Sequence, residues 1–204
     1  MEIRWLGHDS FFLKAGRKVL YIDPWKVSGE KADLILVTHD HFDHYSKTDI
    51  EALYKNGTRV FVGAGGGDYE KVRPGMKFES NGISIETVSA YNVTKFRAPG
   101  KPFHPKDYGG VGYILTLDGK RIYHSGDTDM IPEMRSIKGI DIAMFPVSGT
   151  YVMTVDEAFD AAMIIRPKFV IPMHYGSIVG TEEDAKRFLS LCSQNSIDSY
   201  GKHS

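Results

Sequence analysis

The stretch VTHDHFDHYS, Val37–Ser46, places three histidines and two aspartates within six consecutive residues, His39 to His44. It continues ADLILVT, an unbroken apolar run that predicts a strand buried on both faces. Chemistry therefore begins at the carboxyl end of a core strand. Imidazole nitrogen and carboxylate oxygen are the ligands zinc takes when thiolate is absent. His39 and His41, two apart, can turn both rings toward one point. Asp43 and His44 follow in the same turn and can serve a second point nearby. Two metals about 3.5–4 Å apart are a hydrolytic arrangement. Asp40 falls between the two ligand histidines, so its expected place is behind them or in solvent.

A metal needs about four ligands, and a pair needs more. Asp127, in HSGDTD, follows a predicted strand, and Gly126 beside it permits close backbone approach. His174, in IPMHYG, closes another apolar strand. Both are expected ligands.

Working outward, EIRWLG, SFFLKA, RKVLYIDPW and TRVFVG read as strands in the first half. GISIETVSA, VGYILTLDGKRIYHSGD, IDIAMFPV and KFVIPMHYG read as strands in the second, with LDGK as a hairpin turn. Three helices are expected. In SKTDIEALYKNG, Thr48 and Glu51 have capping-box spacing and Gly57 is a stop. TVDEAFDAAMIIRP is capped by Thr154 and Glu157, and TEEDAKRFLSLCSQN by Thr181. KVLYIDPW followed by ADLILVTH resembles KRIYHSGDTD followed by IDIAMFPV: a strand ending in Asp, a linker, then a buried strand. This echo predicts two sheets of similar build in one domain, residues 1–204. The glycine run VGAGGGD lacks the Lys-Ser/Thr of a phosphate loop and reads as a strand-to-helix turn.

The 204 residues, 42% hydrophobic, are enough for a sizeable core. A net charge of -1 gives a nucleic-acid partner no electrostatic footing. The single cysteine, Cys192, excludes an internal disulfide and a cysteine-based zinc knuckle, and is expected to be buried. MEIRWLGHDS has no signal-peptide pattern, and no apolar run is long enough for a bilayer, so a cytoplasmic enzyme is expected.

GHDSF, IDPW, THDHFDH, HSGDTD and IPMHYG, in that order between Ile3 and about Leu191, resemble the metallo-β-lactamase superfamily. The branch they resemble holds small metal-dependent hydrolases related to ascorbate-6-phosphate lactonase. The resemblance implies an α+β fold, a four-layer αββα sandwich with the metal site at one edge. It implies His39, His41 and Asp127 on a first metal, and Asp43, His44, Asp127 and His174 on a second. The metals would be two divalent ions, zinc first, manganese or iron next. Asp23 matches a position that supports the ligand loop from behind, and His8 is expected beside it. His124 is expected near the site or as a satisfied core group. Asn92, in SAYN, stands where this branch usually supplies a third histidine to the first metal. An amide oxygen is a poor substitute for imidazole. His104 is the nearest free histidine downstream, either the replacement ligand or a surface residue.

The reading that follows is a hydrolase in which hydroxide held between two metals attacks a carbonyl or phosphorus. Asp127 bridges the metals, and Asp43 and Asp127 are the catalytic carboxylates. The expected substrate is a small anionic ester, lactone or phosphodiester. NVTKFRAPGKPFHPKDYGG is expected to be a long substrate-facing loop, with Arg97 and Lys101 meeting the anion. The rivals are a nuclease of the superfamily, and a non-catalytic metal-binding or sensing domain that the Asn92 departure motivates. Redox iron chemistry fits less well, since di-iron proteins of this fold typically carry Glu where His41 stands. The oligomeric state is left open.

Overall fold

The computed structural model describes residues 1–200. The first sheet runs β1 (Glu2–Gly7), β2 (Ser10–Ala15), β3 (Lys18–Ile22), β4 (Leu34–His39), β5 (Arg59–Ala64) and β6 (Glu70–Lys71), neighbours in that order. Tight turns make β1, β2 and β3 antiparallel; β3 to β6 are parallel. Helix α1 (Lys47–Leu53) joins β4 to β5. Its cap is Ser46, whose side chain accepts from the Asp49 N–H, and not the expected Thr48. The chain leaves it at Tyr54, three residues before Gly57. After β5 the glycine run turns into the short strand β6, where a helix was expected.

The rest of the chain builds the second sheet. β7 (Lys77–Ser80) and β8 (Ile83–Ser89) form a hairpin. The segment expected to be a structureless loop folds as a small hairpin, β9 (Phe96–Ala98) and β10 (Lys101–Pro102), then a 3-10 turn over Lys106–Tyr108. β11 (Val111–Leu117) and β12 (Lys120–His124) follow, joined by Asp118 and Gly119 at φ 54° and 72°. Positive φ at both positions defines the hairpin turn read from LDGK. β13 (Ile142–Pro146), α2 (Val155–Ile165), β14 (Phe169–Met173), α3 (Glu182–Gln194) and β15 (Asp198–Ser199) complete the chain. The sheet order is β15-β14-β13-β12-β11-β8-β7. Thr154 and Glu157 form both halves of the expected capping box on α2, and Thr181 caps α3 with Asp184.

Period-two alternation explains the layering. On β4, Leu34 and Leu36 face the second sheet, while Ile35 and Val37 face Ile50 and Leu53 of α1. On β13, Ile142 and Met144 point to the first sheet; Ala143 and Phe145 meet Ala158 and Ala161 of α2 and Phe188 of α3. The layers are therefore α1, sheet, sheet, and α2 with α3: the four-layer αββα sandwich. All six residues of β4 are buried, as its apolar run required. Each large apolar side chain taken from water there contributes about 1.5–3 kcal/mol. Cys192, on the inner face of α3, is buried in the core. Among the described residues no helix is long and apolar enough to cross a membrane.

The two halves of the sequence echo each supply a parallel pair, β3 with β4 and β12 with β13. Asp23 follows β3, and Asp127 lies just past β12. Each sheet comes from one contiguous part of the chain, residues 2–71 and 77–199, and their edges meet where these aspartates emerge.

Candidate metal centre

The structure gathers His39, His41, His44, His104, Asp127 and His174 at one end of the sandwich. Asp127 Oδ2 is at their centre. It lies 3.9 Å from His39 Nε2, 3.4 Å from His44 Nε2, 3.2 Å from His104 Nε2 and 3.4 Å from His174 Nε2. Ligand atoms bound at roughly 2.0–2.2 Å around a tetrahedral zinc lie about 3.3–3.6 Å apart, and the spacings from Asp127 to His44 and His174 fall in that range while those to His104 and His39 lie just outside it.

Ring orientation follows from what sits behind each imidazole. Asp23 accepts from the Thr38 N–H at 2.7 Å, the Thr38 hydroxyl at 2.7 Å and His44 Nδ1 at 2.8 Å. The Thr38 hydroxyl has spent its hydrogen on Asp23, so it accepts from His39 Nδ1 at 3.0 Å. His174 Nδ1 donates to the Ser148 hydroxyl at 2.9 Å. His104 Nδ1 donates to Asn92 Oδ1 at 2.9 Å. All four rings thus fix their Nδ1 hydrogen outward and turn Nε2 inward, the arrangement that orients metal-binding histidines. His41 turns Nδ1 inward instead, 3.2 Å from His104 Nε2.

Apart from the His41–His104 contact, most of these buried atoms lack hydrogen-bond partners. His39 Nε2, His44 Nε2, His174 Nε2 and Asp127 Oδ1 are buried with no hydrogen bond. Buried polar atoms are nearly always paired, so a convergent set of orphans fits cation ligands. Two pockets result, sharing Asp127. The first holds His39, His41 and His104; the second holds His44 and His174 beside Asp9 and His8. Asp43 lies at the margin: its Oδ2 accepts from His8 Nε2 at 2.9 Å, and its Oδ1 is 4.0 Å from His44 Nε2.

Electrostatics among the protein groups are strong. Burial, reinforced by the neighbouring His44, holds His39 well below its usual range. Burial opposes charge on His44, but Asp127 and Asp23 outweigh it and push His44 well up. The same contest, with Asp127 and Asp9 winning over burial, lifts His174 to about 9. Burial works against ionised Asp127 too, yet His44 and His174 hold it well below the carboxylate range.

Several supporting residues escaped the sequence reading. Asp129 accepts from Asn92 Nδ2 at 3.0 Å and from the Val93 and Thr94 N–H groups at 2.7 and 2.6 Å, anchoring the segment that delivers His104. Asp40 takes one of its two expected places, behind the ligands: it accepts from Gly66 N–H and from the hydroxyl of Tyr108, a residue the sequence did not single out for this and whose ring stacks on His41 at 6.0 Å. A second Asp in HSGDTD was the available signal for Asp129; Tyr108 gave none. His124 is a satisfied core group, donating through Nε2 to the Asp9 carbonyl and accepting at Nδ1 from Gly126 N–H.

A cavity of about 410 Å³ opens over the ligands, lined by His41, Asp43, His104, Asp127 and His174 and walled by Phe42, Phe103, Tyr151 and Ile178. Arg97 and Lys101 line a separate depression with Tyr91, Pro105 and Lys106, so the structure does not bring them into this cavity.

The family model for the beta-lactamase superfamily domain matches residues 2–174. The fold is that of this class, and the chain belongs to the metallo-β-lactamase superfamily. A UPF0173 metal-dependent hydrolase of Thermus thermophilus is 31% identical, covering 98% of this chain and 95% of the relative. One of Thermoplasma acidophilum is 34% identical, covering 94% and 90%. A crystal structure from Parabacteroides distasonis superposes with a TM-score of 0.84 at 34% identity, over 97% of this chain and 90% of that one. Within the superfamily the chain is a member of the UPF0173 metal-dependent hydrolases.

Proposed function

We propose that the chain hydrolyses a small ester, lactone or phosphodiester at a pair of divalent cations, zinc first and manganese or iron next. The observation that carries this reading is Asp127 Oδ2, placed within 3.9 Å of four inward-turned imidazole nitrogens. When bound, the cations would supply Lewis acidity and bring the pKa of water to about 7. His39, His41 and His104 would hold one, and His44, His174 and Asp43 the other, with Asp127 shared. Asp23, Thr38, Asn92 and Ser148 keep the imidazole lone pairs aimed inward, which limits reorganisation during reaction. Phe42, Phe103, Tyr151 and Ile178 suit an apolar substrate body and exclude water from one side. Among the described residues no lysine or arginine lines this cavity, so a substrate anion would be met there by the cations themselves.

The test is metal analysis combined with turnover of chromogenic carboxylic esters, a lactone and a phosphodiester. The expected result is hydrolysis of at least one class, lost with chelator and restored by zinc or manganese. Two bound cations with no turnover of any class would favour a binding or sensing role.

A further inference from the structure

His8 and Asp9 form the two-residue turn between β1 and β2, closed by the Gly7–Ser10 pair. A turn aspartate ordinarily faces solvent or caps its own backbone. Asp9 does neither. Its side chain is 0% exposed, and both carboxylate oxygens lack a hydrogen-bond partner. Oδ2 lies 3.5 Å from His44 Nε2 and 3.8 Å from His174 Nε2, the two imidazoles of the second pocket.

The turn is held there from several sides. His8 has φ 50°, a left-handed conformation that a non-glycine residue adopts at some strain. The His8 carbonyl accepts from the His174 N–H at 3.0 Å and from Trp5 Nε1 at 2.8 Å. His124 Nε2 donates to the Asp9 carbonyl at 3.0 Å, and the Ser10 hydroxyl donates to the Asp23 carbonyl at 2.5 Å. A carboxylate fixed in a dry pocket with no donor is costly unless a cation meets it. Two divalent cations bring four positive charges into this site, and Asp43 with Asp127 answer only two.

We propose that Asp9 is a further carboxylate ligand of the second cation, making that pocket richer in oxygen than the first. The first pocket is dominated by three imidazoles. With Asp9, Asp43 and Asp127 against two imidazoles, the second is the harder site and favours manganese(II) more than the first does. The inference rests on the metal-pair reading above, but it concerns a residue that reading leaves idle.

Titration of chelator-treated protein with manganese(II), followed by electron paramagnetic resonance of the free ion, tests it together with zinc analysis. Wild type, Asp9→Asn and Asp9→Ala are compared. Wild type should take up two cations. Both variants should keep one and bind the other at least about tenfold more weakly, with a larger loss for manganese than for zinc. Thermal melts in chelator give a second readout. Asp9 makes no hydrogen bond and meets only the imidazoles of His44 and His174 at 3.5 and 3.8 Å, so the metal-free melting temperature should change little beside the loss in metal affinity. Variants that bind both ions as tightly as wild type overturn the inference, as does a lowered metal-free melting temperature without weakened binding. A wild type that binds no metal overturns the metal-pair reading, and Asp9's role with it.

Discussion

Asn92 Oδ1 accepts two hydrogen bonds from His104, one from its backbone N–H at 2.8 Å and one from ring Nδ1 at 2.9 Å. The residue that occupies the expected ligand position therefore holds a histidine twelve residues later, whose Nε2 faces Asp127 at 3.2 Å. Asn92→Ala frees that ring to rotate. Zinc affinity of the first pocket should fall about 10–100-fold, the range for residues that orient metal-binding histidines. His104→Ala should remove one bound ion outright. Unchanged stoichiometry in His104→Ala, measured beside a metal-depleted His39→Ala, would make His104 only a wall of the cavity.

Asp127→Ala removes the atom shared by both pockets. Turnover should fall by at least about a thousandfold, since both ions lose their spacing. The strands beneath should persist, because Asp127 follows β12 and contributes no apolar packing. Circular dichroism and turnover measured on the same sample check both halves. Near-normal turnover refutes the shared role.

Metal loading should release protons at pH 7. With Asp127 and Asp9 lifting it to about 9 against the effect of burial, His174 of the stripped protein is charged at neutral pH. A ligand imidazole must be neutral, so binding expels that proton. His39, held low, contributes none. Calorimetric titration with zinc in buffers of different ionisation enthalpy should show the release at pH 7 and a smaller one above pH 9. Heats independent of buffer at pH 7 contradict this assignment.

The cavity wall and the basic hairpin make separable contributions. Phe103 packs edge-on against Tyr151, with centroids 4.8 Å apart, over the ligands. Phe103→Ala should raise KM several-fold for every accepted substrate. Arg97→Ala with Lys101→Ala should change it by less than about twofold, because both lie outside the cavity. A KM rise confined to anionic substrates, and fading with added salt, would return the hairpin to the substrate's path.

Glu157 links helix α2 to the His104 segment, bonding Lys95 Nζ at 2.6 Å and the Thr154 N–H at 2.7 Å. Burial pushes its carboxyl up, but Lys95 and the Thr154 N–H outweigh burial and hold it below the ordinary 4.5. A depressed carboxyl contributes stability that is present above the unfolded value and lost as pH falls through the folded one. Glu157→Gln should therefore cost up to about 1 kcal/mol at pH 7 and progressively less at a pH well below the ordinary 4.5. Denaturant melts at both values decide it; an equal cost at both leaves the charge without a role.

What could be read in the sequence was whatever a local pattern encodes. The apolar run before His39 gave β4, and the Thr154 and Glu157 spacing gave the cap of α2. The two halves of the echo gave two sheets of similar build, while the parallel pairing within each half appears only in the structure. The cap of α1 was misplaced because Ser46 and Thr48 both begin plausible boxes; the hydroxyl that reaches the Asp49 N–H is settled only by where the chain leaves His44. The β9–β10 hairpin was hidden by interleaved charges and prolines. Asp9 was invisible for a different reason. In a two-residue turn an aspartate reads as turn chemistry, and only the approach of β14 and the His44 loop turns it into an interior group.

Each sheet is built from one unbroken part of the chain, with the boundary in the exposed turn around Pro74. Each proposed pocket draws residues from both sides of that boundary: His39 and His41 against His104 and Asp127, His44 against His174. Cations bound there would be rivets across a seam that the covalent chain crosses once. A protein nicked at the turn would leave both sheets whole, and the two fragments, held first by the apolar faces they bury against each other, should reassociate more tightly as metal concentration rises.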